Sequence, residues 1–484
     1  MRVSMDWNTK LQALESIARD LDPGEAQRAD FFRQAGAYAE AFLEGLPAGQ
    51  TYVRDTGQSE ELDGQLSEAP VPLAELLGQL ERAVDTPGIN PASGGHLGYI
   101  PGGGLYPSAI GGFLAGITNR YAGIRFASPG AVYMEKQLLQ WMARLVGMPE
   151  SAGGDLTSCG STANLSAIVA AREACHLRSA DIPLQCVYLS RQVHHCVDKA
   201  LRIAGLGECQ VRFVPMDRRY RMDESVLEDM VQADRDRGLK PWLVVASAGT
   251  TDTGAVDPLL KISAICAAER LWFHVDAAYG GFFLLCDEGR RALAGLERAD
   301  SVVIDPHKGL FLPYGTGAVL VRDEEALARA HHYQADYMQD AARAGSGFSP
   351  ADLSAELSRP FRGLGLWLPL KLFGLAAFRA ALAEKIWLAR YFHERVGEIN
   401  GFEVGPYPDL SVVTFRHRPL RGDAEASNRR LLEAVHQDGR VFISSTRLNG
   451  EFTLRTAILH FRTHRAEVDY LLELLRQHAA GWTG

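Results

Sequence analysis

LWFHVDAAYGG (271–281) and SVVIDPHKG (301–309) decide the fold of this chain. Each opens on a run of β-branched and aromatic residues and closes on glycine or proline, the pattern of a short buried strand followed by a turn. Asp276 and Lys308, at the two strand ends, lie 32 residues apart, room for one helical crossover between neighbouring parallel strands. Such a pair puts a carboxylate and an amine into one crevice at the carboxyl ends of the strands, where open α/β sheets bind ligands.

Working outward, the texture repeats. CVYLS from Cys186, VRFVP from Val211, WLVVASA from Trp242 and AVLVR from Ala318 read as further buried strands. Amphipathic segments lie between several of them, for example Pro258 to Arg270 behind the expected cap Asp257. This alternation predicts an α/β fold with a mainly parallel sheet flanked by helices. Residues 1–95 read as an N-terminal helical segment, in which Phe31, Phe32, Ala35, Tyr38, Ala39, Phe42 and Leu43 recur at helical spacing behind Asp22-Pro23. Its one apolar face must be buried, and a partner subunit is a suitable surface. A glycine-rich loop around His96, Tyr99 and Pro101 opens the large domain, 96–365. Residues 366–484 read as a small α+β domain: one or two helices over Leu366 to Val396, then VVTFR from Val412, a helix around Asn428 to Gln437, VFISS from Val441 and FTLRTAIL from Phe452.

Composition narrows the function. Of 484 residues, 46% are apolar and 23% charged, ordinary usage for a globular protein. A net charge of −9 leaves no basic surplus for phosphate backbones, so no nucleic-acid partner is expected. Seven cysteines without a CxxC pair or zinc-ligand spacing predict free thiols in a reducing compartment and no metal site. The start MRVSMDWNTK lacks the apolar core of a signal peptide. The longest apolar stretch, LGLWLPLKLFGLAAF from Leu364, is interrupted by Pro369 and Lys371, short of the about 18 residues a spanning helix needs. A cytoplasmic location with no membrane partner is expected.

An aspartate and a lysine at adjacent strand ends suit pyridoxal 5'-phosphate. The lysine forms a Schiff base with its aldehyde, and the aspartate pairs with the protonated pyridine nitrogen so that the ring can accept electrons. The phosphate needs a cradle, and TSCGSTANLSAIVAAR from Thr157 offers one, with Gly160 and Ser161 opening a helix. A ring cover is available in VHHC from Val193, where His194 and His195 compete for the role.

With HVDAAY and PHK in this order and spacing, the chain resembles the group II pyridoxal-phosphate-dependent decarboxylases, the family of aromatic-L-amino-acid decarboxylase and glutamate decarboxylase. The likeness runs from the N-terminal helical segment through the His96 to Pro101 loop to LNGEFTLRTAIL at Leu448. It implies the aspartate-aminotransferase-like architecture of fold type I and a homodimer with its active site at the subunit interface. It also implies that Lys308 is the Schiff-base lysine beside His307, that Asp276 meets the pyridine nitrogen, and that Ala278 lies under the ring. His194 would stack on the other face, Gly160 and Ser161 would hold the phosphate, and Thr251 in SAGTTDTG would sit near the ring. Tyr337 in HHYQADYMQD, with Tyr333 one turn away, matches the mobile-loop tyrosine that protonates the substrate carbon. A lid over Ala341 to Ser349 suits the same loop.

Three departures from the family pattern stand out. Asp305 replaces the usual Asn before PHK, adding a negative charge near the expected phosphate. The loop Tyr99-Ile100-Pro101-Gly102-Gly103-Gly104 lacks the bulkier hydroxyl-bearing residues of aromatic-amino-acid decarboxylases. Arg359 and Arg362, in SRPFRGLGLW, are either structural or touch a carboxylate. Tyr99, Ile100, Tyr106 and Phe126 as pocket candidates favour an aromatic L-amino acid, decarboxylated to its amine and carbon dioxide. The alternatives are an aldehyde synthase, in which oxygen rather than a proton meets the carbanion, and a carbon–carbon lyase on the same scaffold. Tyr337, where synthases typically carry Phe, favours decarboxylation.

Overall fold

Val, Ile, Leu and aromatic runs become the strands of a seven-stranded sheet. The computed structural model describes residues 6–62, 64, 66, 68–100, 102–331 and 348–480. It separates into two compact units, Met1–Asn90 and Pro91–Gly484.

The first unit carries the helices α1 (Trp7–Ala18), α2 (Glu25–Gly45) and α3 (Leu73–Leu80), with a two-stranded antiparallel pair, β1 (Tyr52–Val53) and β2 (Gly88–Ile89). Gly24 rather than Asp22 stands at the N-cap of α2. None of the residues in these three helices is buried.

In the second unit the large sheet consists of β3 (Gly153–Thr157), β4 (Gln185–Leu189), β5 (Gln210–Phe213), β6 (Lys240–Ser247), β7 (Trp272–Asp276), β8 (Ser301–Ile304) and β9 (Gly317–Val321). Their spatial order is β3-β9-β8-β7-β6-β4-β5. Neighbours from β5 through β8 pair in parallel, and β9 runs against both β8 and β3. Side chains alternate across the sheet, as the pleat requires. Along β6, Leu243 and Val245 join a core with α6 (Gly160–Ala174) and α7 (Cys196–Ile203). Val244 and Ala246 join another with α5 (Pro129–Val146), α8 (Glu224–Asp236) and α9 (Leu259–Glu269). Burial on both faces explains why these strands read as continuous apolar runs. Strand β3, sequence GGDLT, lacks that signature; a Cβ on Gly154 would stand 2.3 Å from the Val319 carbonyl oxygen, so glycine admits the close approach of β9. Asp257 does not cap α9, whose N-cap is Pro258; its carboxylate accepts from the Met222 and Ser247 N–H groups at 2.7 and 2.8 Å.

A second sheet, β10 (Phe402–Val404), β11 (Val412–His417), β12 (Ser444–Leu448) and β13 (Glu451–Ala457), is antiparallel throughout in the order β10-β11-β13-β12. The helices Ala424–Asp438 and Arg465–Ala480 share its core. The boundary expected at 95/96 falls at 90/91, and the one expected at 365/366 does not delimit a compact unit. The physical reason is the helix Gly363–Gly397. Leu366, Phe378, Leu382 and Ile386 enter the core of the large sheet, while Leu388, Ala389, Phe392 and Val396 enter that of the small one. The helix is broken at Gly374, where φ is 65°. By length and composition it is apolar enough to cross a membrane; these two cores take up its buried residues.

Candidate active site

Asp276 ends β7 with its side chain on the α6 face. Its Oδ1 accepts from the Ala278 N–H at 3.1 Å, and its Oδ2 accepts from Asn164 Nδ2 at 3.2 Å. Asn164 sits one turn into α6 and also donates to the Gly160 carbonyl, at 2.9 Å. Its amide orientation is thereby set, because the Gly160 carbonyl and the Asp276 carboxylate can only accept. Asn164 Oδ1 must then accept, so His274 Nε2, 2.8 Å away, carries the hydrogen. Burial holds His274 down to about 4, neutral at physiological pH. Its bare Nδ1 accepts from the Ser301 hydroxyl at 2.8 Å, which in turn accepts from the Trp272 Nε1–H at 2.9 Å. Every hydrogen in the chain Trp272, Ser301, His274, Asn164 points toward Asp276. Both Asp276 oxygens therefore act as acceptors, which suits them to meet a donor such as a protonated ring nitrogen.

Lys308 stands in the helical turn Pro306–Gly309 that follows β8. Its Nζ lies 2.9 Å from Asp305 Oδ2. Burial works to lower the lysine's pKa, but the carboxylates of Asp305 and Asp276 prevail and hold it above the usual value. His307 donates its Nδ1–H to the Thr316 carbonyl at 2.6 Å, and burial keeps the ring neutral.

The N-terminus of α6 faces the same space. Burial pushes the Cys159 thiol up, yet the Thr162 and Ser161 N–H groups outweigh it and hold the thiol below its ordinary range. Amides that stabilise a thiolate equally suit a phosphate, and the helix dipole adds to them. The His194 and His195 rings lie against each other, tilted by 38° with centroids 4.1 Å apart. His194 is half-buried and lines the cleft, whereas His195 is exposed and does not. Burial keeps His194 neutral, and its Nδ1 accepts from the Cys196 N–H at 3.3 Å, which leaves the ring hydrogen on Nε2.

Gly160, Ser161, His194, Thr251, Asp276, Ala278, His307 and Lys308 thus line a single cleft. Tyr337 and most of the Ala341 to Ser349 segment lie outside the described residues. Asn164, Cys159, Cys196 and Tyr279 also line the cleft without having been singled out; in Asn164 the only signal was its place four residues after Gly160 on the same helical face. Of the four pocket candidates, Ile100 alone lines it. Tyr99, Tyr106 and Phe126 are exposed, because Tyr99 takes a left-handed φ of 52° and Tyr106 begins the helix α4 (Tyr106–Thr118) on its outer side. Arg359 and Arg362 belong to neither cleft wall: both donate to the Leu156 carbonyl, and Arg359 pairs with Glu135 and Asp155.

Comparison with known proteins identifies the family. Residues 57–418 match the family model described as the pyridoxal-dependent decarboxylase conserved domain. The chain is 35% identical over 377 residues to an aromatic-L-amino-acid decarboxylase of Bacillus atrophaeus, covering 77% of this chain and 78% of that protein. It is 31% identical over 396 residues to a phenylacetaldehyde synthase of Arabidopsis thaliana, covering 78% and 81%. The crystal structure of Oryza sativa TDC with PLP and tryptamine superposes with a TM-score of 0.89 at 27% identity, over 96% of this chain and 99% of that one.

Proposed function

Because the chain belongs to the pyridoxal-dependent decarboxylase family, we propose that it removes the α-carboxyl group of an aromatic L-amino acid as carbon dioxide and releases the amine. The observation that carries this reading is the convergence of Lys308, Asp276, His194 and the α6 N-terminus on one cleft.

Pyridoxal 5'-phosphate, when bound, supplies the electron sink that takes up the bonding pair as the carboxyl group departs. The residues present fit it. Gly160 and Ser161 would hold the phosphate, Asp276 the ring nitrogen and Lys308 the aldehyde carbon. Ala278 and His194 would cover the two ring faces, with Thr251 at its edge and His307 beside the lysine. His194, neutral with its hydrogen on Nε2, can donate that hydrogen to a group in the cleft without adding charge. Tyr337 or His194, on the sequence argument, returns the proton to the carbon that the carboxyl group leaves. Oxygen chemistry of the kind named in the Arabidopsis relative is the second reading.

Product analysis decides between them. Incubating the loaded enzyme with a panel of L-amino acids in air should give amine and carbon dioxide from an aromatic member, with no peroxide. Aldehyde, ammonia and peroxide would transfer the chain to the synthase reading. A product from glutamate alone would remove the aromatic assignment.

The enzyme is proposed to be a cytoplasmic homodimer with its active site at the subunit interface, without nucleic-acid or membrane partners. Exposed apolar stripes support the pairing. Trp7, Leu11, Leu14 and Ile17 are exposed along α1, and Ile110, Phe113, Leu114 and Ile117 along α4. Sedimentation at twice the chain mass of 52.9 kDa is the expected result, and a stable monomer would end the proposal.

A further inference from the structure

Asp305 is wholly buried at the floor of the cleft, where the family pattern has an uncharged residue. Two glycines make room for it. A Cβ on Gly160 would stand 2.6 Å from Oδ2, and one on Gly317 would stand 2.7 Å from Oδ1. Among the described residues neither oxygen has a hydrogen-bond partner of ordinary geometry, and the cation in contact is the Lys308 ammonium, 2.9 Å from Oδ2. His307 Nε2, at 3.7 Å, belongs to a neutral ring whose Nδ1–H is engaged by Thr316.

A buried carboxylate with a single cation beside it is held in place by that cation, and holds it in turn. The other ionisable groups facing Lys308 are Asp276, Cys196, His194, His307 and Tyr314. Burial leaves both histidines unprotonated, pushes the Cys196 thiol up to about 12 and raises the Tyr314 hydroxyl, so all four are neutral. Among the described residues only Asp276 and Asp305 bring charge to Lys308, and Asp276 is already bound by Asn164 and Ala278.

We propose that Asp305 is a positioning residue for Lys308: it holds the free lysine as an ammonium aimed into the cleft, and thereby sets the pH at which the lysine takes up an aldehyde. This rests on the reading of Lys308 as the lysine that binds the cofactor. An ammonium has no lone pair, so it must first lose a proton to solvent. The nitrogen then forms the new bond to the carbonyl carbon, and the carbonyl oxygen leaves as water, taking up the protons the reaction sets free. When a substrate amine displaces the lysine, the departing nitrogen gains the two hydrogens that the incoming ammonium loses, and Asp305 receives the ammonium so formed. Acid chemistry is balanced and no outside reductant or oxidant is needed.

The test is competitive acetylation of the full chain, freed of cofactor by dialysis against hydroxylamine, with acetic anhydride between pH 6 and 11. Mass spectrometry follows the Lys308 peptide beside those of Lys136 and Lys199. In the parent protein Lys308 should titrate above these two lysines. Asp305→Asn, of nearly the same size, should lower its midpoint by at least about one pH unit, which is about tenfold greater reactivity at pH 8. Equal midpoints in parent and variant would overturn the proposal. So would a parent Lys308 that titrates at or below the reference lysines, a result that needs no variant to fold. Borohydride reduction of the loaded protein tests the underlying reading separately. An adduct on a different lysine would remove Lys308 from the cofactor site while leaving the acetylation result to stand for Asp305.

Discussion

Lys308→Ala is expected to yield a folded protein that shows no visible cofactor absorption after dialysis and no detectable product. Turnover should fall by about 10⁴-fold, the scale on which loss of one member of a catalytic unit is felt. The lysine contributes in two separable ways: its nitrogen can bond covalently to an aldehyde, and its charge offsets Asp305. Lys308→Arg separates them. It keeps a cation beside the buried carboxylate but cannot form the bond, so it should match the parent in thermal stability and the alanine variant in inactivity. Absorption spectra and thermal melts of both variants provide the check. A visible band of parental intensity in Lys308→Ala would remove the lysine from the chemistry.

The largest expected effect on stability lies away from the cleft. The Arg359 side chain is 1% exposed, with Nη1 3.3 Å from Glu135 and Nη2 3.0 Å from Asp155, and it joins α5, β3 and the approach to the helix Gly363–Gly397. Glu135 also accepts from the Gly363 N–H at 2.9 Å. Arg359→Met fills a similar volume but leaves two buried carboxyl groups without their cation, at a cost of about 3–5 kcal/mol. The loss should depend on pH in a defined sense. Burial pushes Asp155 up to about 6 and raises Glu135, even against the pull of Arg359. A carboxyl whose folded pKa exceeds its unfolded value near 4 favours the folded state below that value, and this contribution is lost as pH rises through the folded value near 6. Without Arg359 both groups move higher still. The deficit of the variant should therefore be small at pH 5 and largest near pH 8, as measured by urea unfolding at both. Equal deficits would show that Arg359 acts through packing alone.

The parts of this protein that can be read from its sequence are those in which one strand carries its own signature. Trp272–Asp276 and Ser301–Ile304 are buried on both faces, so their apolar runs are continuous and the charged residue after each run marks the crevice. His194 follows β4 in the same way. Asn164 escaped notice because GSTAN reads as an ordinary helix start; its value comes from the register of α6 against β7, a contact between segments more than 100 residues apart. Asp305 was visible as a departure, but whether it faced phosphate, solvent or Lys308 depended on the space left by Gly160 and Gly317. Tyr99, Tyr106 and Phe126 were placed by chemistry alone, and a single left-handed residue at 99 suffices to turn such a loop outward.

The helix Gly363–Gly397 bears on how this enzyme can be engineered. A gene cut at residue 365 would leave the first fragment without the side chains that pack on Gly281–Leu285, α4 and α5, and the second with a helix whose leading half has no neighbour to cover it. Truncations and domain swaps that treat the two sheets as separate modules would therefore expose apolar surface on both products. Joints for fusion or permutation belong elsewhere, at sites where no single element is shared between two cores.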